Sequence, residues 1–347
     1  MTHQDILSAL RGSSSLLAKH LEPELLDSLE GARTSRGFAI ADVIRSGVEN
    51  TDSGVGVYIP DEESLETFGP FLKKIITAYH GFGEGDSHRR DFAVAEDELK
   101  DLDPTGEFII STRVRVGRNL KGYPFAPGIT QEERKEVEQK IVSALGTLTD
   151  DLAGMYYPLA GMKEDIRAQL VADHFLFKQG DRFLESAGAN RDWPDARGIF
   201  HSADKKFLVW VNEEDQLRII SMEQGGNLHS VYNRLVRAFT ALEKKLDFAY
   251  SERYGFLSSC PTNLGTAMRA SVHIKLAGLE KSGKLKEACD ALKLSVRGIH
   301  GEHSESAGGV YDISNKQRLG ISEADIIRVL ANGVRNLIAL EKSHLKK

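Results

Sequence analysis

The sequence predicts an α+β protein in two parts, a small all-helical N-terminal domain and a larger C-terminal domain built on a sheet flanked by helices. Three observations predict it. Residues 1 to about 80 carry apolar positions at helical spacing. The run from Gly81 to Asp91 then breaks all periodicity with glycines and charges, as a linker between domains does. Beyond it, apolar and β-branched runs alternate with helical stretches. We place the boundary between residues 85 and 86, giving domains of 1–85 and 86–347.

In chain order, Ile6, Leu7 and Leu10 open the first helical stripe, and Phe71, Leu72, Ile75, Ile76 and Tyr79 form a longer one, with Ser64 before Leu65 as a helix cap. Strands are expected at Phe108 to Val116, Phe207 to Val211, Arg218 to Met222 and Ala270 to Leu276, and a helix at Gln131 to Leu148. Gly278 to Lys284 has the spacing of a phosphate-binding loop, but Leu285 stands where a hydroxyl is required, so it reads as a connection between helices. Gly81 to Gly85 lacks the strand-to-helix setting of a dinucleotide fingerprint.

Composition excludes several function classes. The chain has 347 residues, 41% hydrophobic and 28% charged, as expected of a folding protein with a core, neither disordered nor membrane-embedded. A net charge of -6 supplies no field to hold nucleic acid, so phosphate chemistry must come from locally placed arginines. The two cysteines, Cys260 and Cys289, argue against a disulfide framework and for a reducing compartment. No run has signal-peptide or membrane-spanning character, so the cytosol is the expected location. No cysteine and histidine cluster has zinc spacing, and His300 with His303 reads as loop polarity.

The arginines carry the strongest signal. In Ser111-Thr112-Arg113-Val114-Arg115-Val116, two guanidinium groups two residues apart on a strand project from one face. The same alternation puts Arg269, Ser271, His273 and Lys275 on one face, with Ala270, Val272 and Ile274 on the other. Arg218 opens another strand, and Arg297 precedes a polar, glycine-rich loop from Gly298 to Gly309. A polyphosphate needs several rigid donors of this kind, although any single arginine here could be an ordinary solvated strand end. The acidic partner is Asn212-Glu213-Glu214-Asp215, where an apolar strand runs into three carboxylates. Carboxylates are what meets the planar donor fork of a guanidinium, and Glu214 and Glu302 fit that role. Glu213 and Asp215 read as structural or solvated charge. Cys260 precedes a Pro-Thr-Asn turn and would face a cationic substrate, conditions that predict a thiol pKa below the usual value. Cys289, in a helical context, reads as a small buried hydrophobe.

The run Cys260-Pro261-Thr262-Asn263-Leu264-Gly265-Thr266, followed by Met268-Arg269-Ala270-Ser271-Val272-His273, closely resembles the signature of the phosphagen (guanidino) kinases, and the resemblance continues through nearly the whole chain. It implies an antiparallel sheet and reversible transfer of the γ-phosphoryl group of MgATP to the guanidino group of L-arginine, giving phosphoarginine and ADP. By the same resemblance Arg113, Arg115, Arg218, Arg269 and Arg297 clamp the ATP phosphates, and His174, His273 and Asp312 lie around the adenosine. Glu214 and Glu302 flank the guanidine and Cys260 touches it from the side, while Ser53, Gly54, Val55, Gly56 and Tyr58 form a loop that receives the carboxylate of the substrate. Mg2+ is expected with the ATP rather than on protein ligands. A base must take a proton from the guanidinium; Glu214 is the first candidate and Glu302 the second. Asp52 and Arg182 match a pair that links the domains, and the loop from Gly298 to Gly309 is expected to close over the nucleotide.

Two departures stand out, His300 and the run Ala189-Asn190-Arg191-Asp192-Trp193-Pro194, and neither touches a role named above. Another guanidine such as taurocyamine or lombricine would keep every phosphate residue and differ in the Ser53 to Tyr58 loop. A catalytically silent nucleotide-binding scaffold is a third reading. Monomer and homodimer both remain open.

Overall fold

The computed structural model describes residues 2–173, 175–177, 179–298 and 308–345. The first eighty residues fold into the helices α1 (His3–Ala9), α2 (Leu16–His20), α3 (Pro23–Leu29), α4 (Ile40–Glu49), α5 (Ser64–Thr67) and α6 (Gly69–His80). Polar caps set the starts of α1 and α2. Thr2 forms a reciprocal cap with Asp5 on α1, and the Ser15 hydroxyl accepts the Ala18 N–H at 3.1 Å on α2. Ser64 does not cap: it is the first residue of α5, and its N–H and hydroxyl donate to Asp61 Oδ1 at 2.9 and 2.6 Å. Asp61 does the capping because its carboxylate reaches the free N–H groups of that turn. Helix α6 ends at Gly81, whose φ of +67° is the left-handed conformation a glycine allows cheaply.

The stripes predicted from the sequence pack together. Leu17, Leu26, Ile44, Phe68, Phe71, Leu72 and Ile75 are fully buried, and their cluster takes in Phe125, Ala249, Tyr254, Leu257, Leu264 and Leu319 from later in the chain. The helical segment therefore shares its core with the chain that carries the sheet.

The remaining strands are β1 (Ile109–Arg118), β2 (Gly154–Pro158), β3 (Gly198–Ser202), β4 (Phe207–Val211), β5 (Leu217–Gln224), the short hairpin β6 (Tyr250–Ser251) and β7 (Gly255–Phe256), then β8 (Met268–Lys275), β9 (Leu294–Gly298) and β10 (Val310–Asn315). Eight of them form one sheet in the order β2-β3-β4-β5-β1-β8-β10-β9, with antiparallel pairing between all neighbours. Interleaved helices are α7 (Gln131–Leu145), α8 (Glu164–Ala172), α9 (Arg182–Ser186), α10 (Leu228–Glu243), α11 (Ala277–Lys281), α12 (Leu285–Ala291) and α13 (Glu323–Leu345). The run Gly278 to Lys284 takes in most of α11, and its last three residues, Ser282 to Lys284, connect α11 to α12.

Alternation along the central strands divides the sheet. Val114, Val116, Ile219, Ala270, Val272, Ile274 and Ile313 are buried to the last per cent or so in the main core, where α10 and α13 cover them. The opposite face carries the arginines. No helix among the described residues is long and apolar enough to cross a membrane.

Candidate active site

Strand register assembles the cationic face. On β1, Arg115 sits directly opposite Arg269 of β8, Arg113 opposite Ser271, and Gly117 opposite Arg218 of β5. Continuing outward, His273 pairs with Asp312 of β10, and Asp312 with Arg297 of β9. Opposed residues of an antiparallel pair share a face, so all five arginines predicted from the sequence project to one side of the sheet, along with His273 and Asp312. Trp210 of β4, opposite Arg218, extends the same face; the Arg218 and Arg113 guanidinium carbons lie 5.4 and 5.9 Å from its ring centroid.

Crowding of like charge marks this face as a site for an anion. Burial, then the cations of Arg218 and Arg269, pull the Arg113 guanidinium down to about 10. Burial and the cations of Arg218, Arg113 and Arg269 push Arg115 well below its usual value. Among the described residues the buried Nε of Arg113 has no hydrogen-bond partner. A buried donor left unpaired is costly, and a polyanion lying on this face would supply the missing acceptors. Arg269 is held by Asp312 at 2.9 Å, and His273 Nε2 lies 3.6 Å from the other oxygen of that carboxylate. Burial opposes ionisation of Asp312, but His273 and Arg269 outweigh it and lower its pKa.

At one end of the face stands the acidic turn. Asn212, at φ +55°, donates its N–H to Gln216 O at 2.9 Å and its amide to Ala196 O at 2.8 Å, which closes the turn tightly after β4. Glu213 and Glu214 then grip Arg218 as a fork, at 2.9 and 2.7 Å. Burial works to depress Arg218, yet the carboxylates of Glu213, Glu214 and Asp215 outweigh it and raise its pKa. Glu214 moves the other way: burial, reinforced by Asp215 and Glu213 against the pull of Arg218, raises its carboxyl to about 7. It therefore exchanges a proton near neutrality.

Asp215 is structural, as the sequence reading preferred. Fully enclosed, it accepts from Asn119 Nδ2 at 2.8 Å, the Ser258 hydroxyl at 3.0 Å and the Ser259 N–H at 3.4 Å. One buried carboxylate thus joins the residue after Glu214 to the residue before Cys260. The Cys260 sulfur lies 3.1 Å from the Thr262 hydroxyl. Its pKa contradicts the lowered value expected from the sequence: burial, with the Glu214 carboxylate nearby, pushes the thiol up to about 12. The sequence showed a neighbouring turn but not that the half-buried sulfur lies near a carboxylate.

The Ser53 to Tyr58 loop reaches this corner from the helical side. Gly54 and Val55 carbonyls accept the Leu16 and Leu17 N–H groups at 3.0 Å, and the Gly56 N–H donates to the Ser53 hydroxyl at 3.0 Å. Gly56, at φ +81°, passes so close to Gly47 that a Cβ on Gly47 would lie 2.3 Å from its carbonyl oxygen. Ile59 N–H then donates to Ser259 O at 2.7 Å, stitching the loop to the cysteine turn. Tyr58 is raised by burial and by the charges of Cys260 and Glu214, so its phenol shares their environment. Farther out, both guanidinium nitrogens of Arg182 meet Asp52, one at 2.8 Å, and the first also donates to Asn50 Oδ1 at 3.2 Å.

Glu302, His174 and most of the Gly298 to Gly309 loop lie outside the described residues. Sequence reasoning missed Arg318. It borders the same cleft as Arg115, Arg218 and Arg269 and donates to the Thr262 carbonyl at 3.2 Å and to Asn263 Oδ1. Its position in Asn315-Lys316-Gln317-Arg318, a polar run after a strand, carries no periodicity that could have singled it out. Among the described residues no group of three or more histidine, cysteine or acidic side chains could hold a metal ion.

Comparison with known proteins agrees with this geometry. The model of the ATP:guanido phosphotransferase N-terminal domain matches residues 11–77, and that of the C-terminal catalytic domain matches residues 136–344. The chain belongs to the ATP:guanido phosphotransferase family. It is 55% identical over 331 residues to the arginine kinase of Limulus polyphemus, covering 95% of this chain and 93% of that protein. Among solved structures of the family, a lombricine kinase superposes with a TM-score of 0.91 at 38% identity over 96% of this chain and 93% of that one. The substrate-free duplicated taurocyamine kinase from Schistosoma mansoni superposes at 0.92 with 42% identity, over 98% of this chain and 49% of the duplicated one.

Proposed function

We propose that this chain is an enzyme that transfers the γ-phosphoryl group reversibly between MgATP and L-arginine. The observation that carries the reading is the meeting of a crowded arginine face with Glu214, whose carboxyl sits at about 7, beside Cys260 and Tyr58. MgATP lies along the arginine face as substrate, its phosphates on Arg113, Arg115, Arg218, Arg269 and Arg297, with His174, His273 and Asp312 at the adenosine end. The magnesium ion, arriving with the nucleotide, shares neutralisation of its charge. The guanidine of L-arginine meets Glu214 and Glu302, with Cys260 against its side, and its carboxylate meets the Ser53 to Gly56 amides. In the forward step a guanidino nitrogen bonds to the γ-phosphorus as the bond to the ADP oxygen breaks in line, and the displaced proton passes to Glu214. Arg113, Arg115 and Arg269 absorb the charge that develops on the transferring group. The thiol of Cys260 orients the guanidine and forms no phosphorylated intermediate.

The division between residues 85 and 86 belongs to this proposal, since closing the loop over the guanidine brings the helical part against the sheet. A cytosolic location rests on two cysteines that are both free. L-arginine is favoured over other guanidines by Glu302 and by the arginine kinases among the relatives. Initial rates of ADP formation from MgATP, with L-arginine, lombricine and taurocyamine offered separately, test the reading. Strong preference for L-arginine supports it; preference for either of the others keeps the mechanism and replaces the substrate, and no activity with any discards the reaction.

A further inference from the structure

Outside the catalytic corner lies a third apolar cluster, separate from the two main cores. Among the described residues only Leu170, Phe177 and Ile199 are buried in it, and the residues around them, among them Leu176, Trp193 and Trp210, are half-buried. The shell borders an open cavity of about 600 Å³ lined by Leu176, Phe177, Trp193 and Val171, with Arg167 and Gln179 as polar groups. Sites for small molecules commonly measure about 300–1,000 Å³ and combine an apolar, aromatic wall with a few convergent polar groups.

The wall is built from rings in fixed relation. Phe177 stands edge-on to Trp193, with centroids 5.8 Å apart at 90°, and tilts against Trp210 at 5.4 Å. Arg197 lies over the Trp193 ring at 5.0 Å, and Trp210 donates its indole N–H to Phe175 O at 2.9 Å. A second flat ring is the body that fits beside such edges. Charge decides the rest of the ligand. Among the described residues the Arg167 side chain makes no hydrogen bond or ion pair, and the carboxylate of Asp173 is engaged by Lys205 and by Gln169, the latter at 2.9 Å. A free guanidinium at the rim of an apolar cavity selects an anionic group.

We propose that this cavity, walled by Phe177 and Trp193 with Arg167 at its rim, binds a small flat aromatic anion. The site is one ring removed from the arginine face, because Trp210 packs against Phe177 on one side and lies near Arg113 and Arg218 on the other. Its occupancy is proposed to be separate from that of the nucleotide, which saturating MgADP tests. The only tryptophans in the chain, Trp193 and Trp210, both border the cluster and report its occupancy.

The probe is 8-anilinonaphthalene-1-sulfonate, titrated into the full chain with saturating MgADP so that the nucleotide site is filled. The expected result is one probe bound per chain, with fluorescence excited through the tryptophans. Arg167→Glu should weaken binding about tenfold by replacing a charge-assisted contact with repulsion. Val171→Trp, at a position 46% exposed, should fill the mouth and abolish binding. Both variants should keep initial rates of ADP formation within about twofold of the parent, which checks that they fold. Binding that is absent, that MgADP removes completely, or that neither substitution changes overturns the proposal.

Discussion

Replacing Glu214 by Gln separates catalysis from stability, because the structure predicts opposite effects on the two. The amide keeps the size and planarity of the side chain but cannot take a proton, so kcat should fall by a factor of about 10²–10⁴, the range for a lost general base. Stability should move the other way. The folded pKa of about 7 lies above the ordinary glutamate value of 4.5. The unfolded chain therefore releases its proton first as pH rises, and stability is lost between roughly pH 4.5 and 7. Above that window the ionised carboxylate costs the fold about 3 kcal/mol, from about 1.4 kcal/mol for each tenfold difference in proton affinity. The neutral amide resembles the protonated acid, so the variant should unfold a few degrees higher than the parent at pH 8 and at the same temperature near pH 4. Coupled ADP-release kinetics and thermal unfolding at the two pH values measure both effects. Near-normal kcat, or a variant several degrees less stable at pH 8, would refute the reasoning.

The half-buried Cys260 thiol gives a second prediction: in the free protein it should remain un-ionised to pH 10, given a pKa pushed up to about 12, whereas a thiolate absorbance step between pH 7 and 9 that disappears in Cys260→Ala would reverse that conclusion. Arg113→Met should reduce kcat by about 10²–10³ and weaken MgADP binding, measured by tryptophan quenching, because Arg113 sits beside the Trp210 ring and its Nε has no partner among the described residues; an unchanged nucleotide affinity would remove it from the site. Gly117→Ala would bring a Cβ within 2.4 Å of Asp215 Oδ2, so displacement of that buried, triply hydrogen-bonded carboxylate should destabilise the protein by about 2–4 kcal/mol in urea unfolding, and a change below about 0.5 kcal/mol would contradict the geometry.

What the sequence made legible was alternation. Phe207–Val211 is strand β4 with the predicted ends, and the alternating Arg269, Ser271 and His273 face away from Ala270, Val272 and Ile274 as the two-residue period requires. The short strands β2, β3, β9 and β10 escaped, since five-residue edge strands such as Gly154–Pro158 and Leu294–Gly298, which end in proline and glycine, are too short for their pattern to stand out from a loop. Their place depends on partners far away in the chain. The same holds for the chemistry: that Arg113 and Arg115 share a face is local, but that Arg218 stands opposite Gly117, and Arg318 reaches the cysteine turn, follows only from register and packing. The thiol pKa failed for this reason. The turn and the cationic substrate expected beside it mattered less in the free protein than burial and a carboxylate brought from Glu214.

The most direct test of the account is phosphorus NMR of the protein equilibrated with MgATP and L-arginine. Transfer to a guanidino nitrogen predicts a phosphoramidate resonance that grows in equal measure with ADP and reverts to ATP when MgADP is added. Formation of inorganic phosphate without that resonance, or an unchanged ATP spectrum, would contradict it.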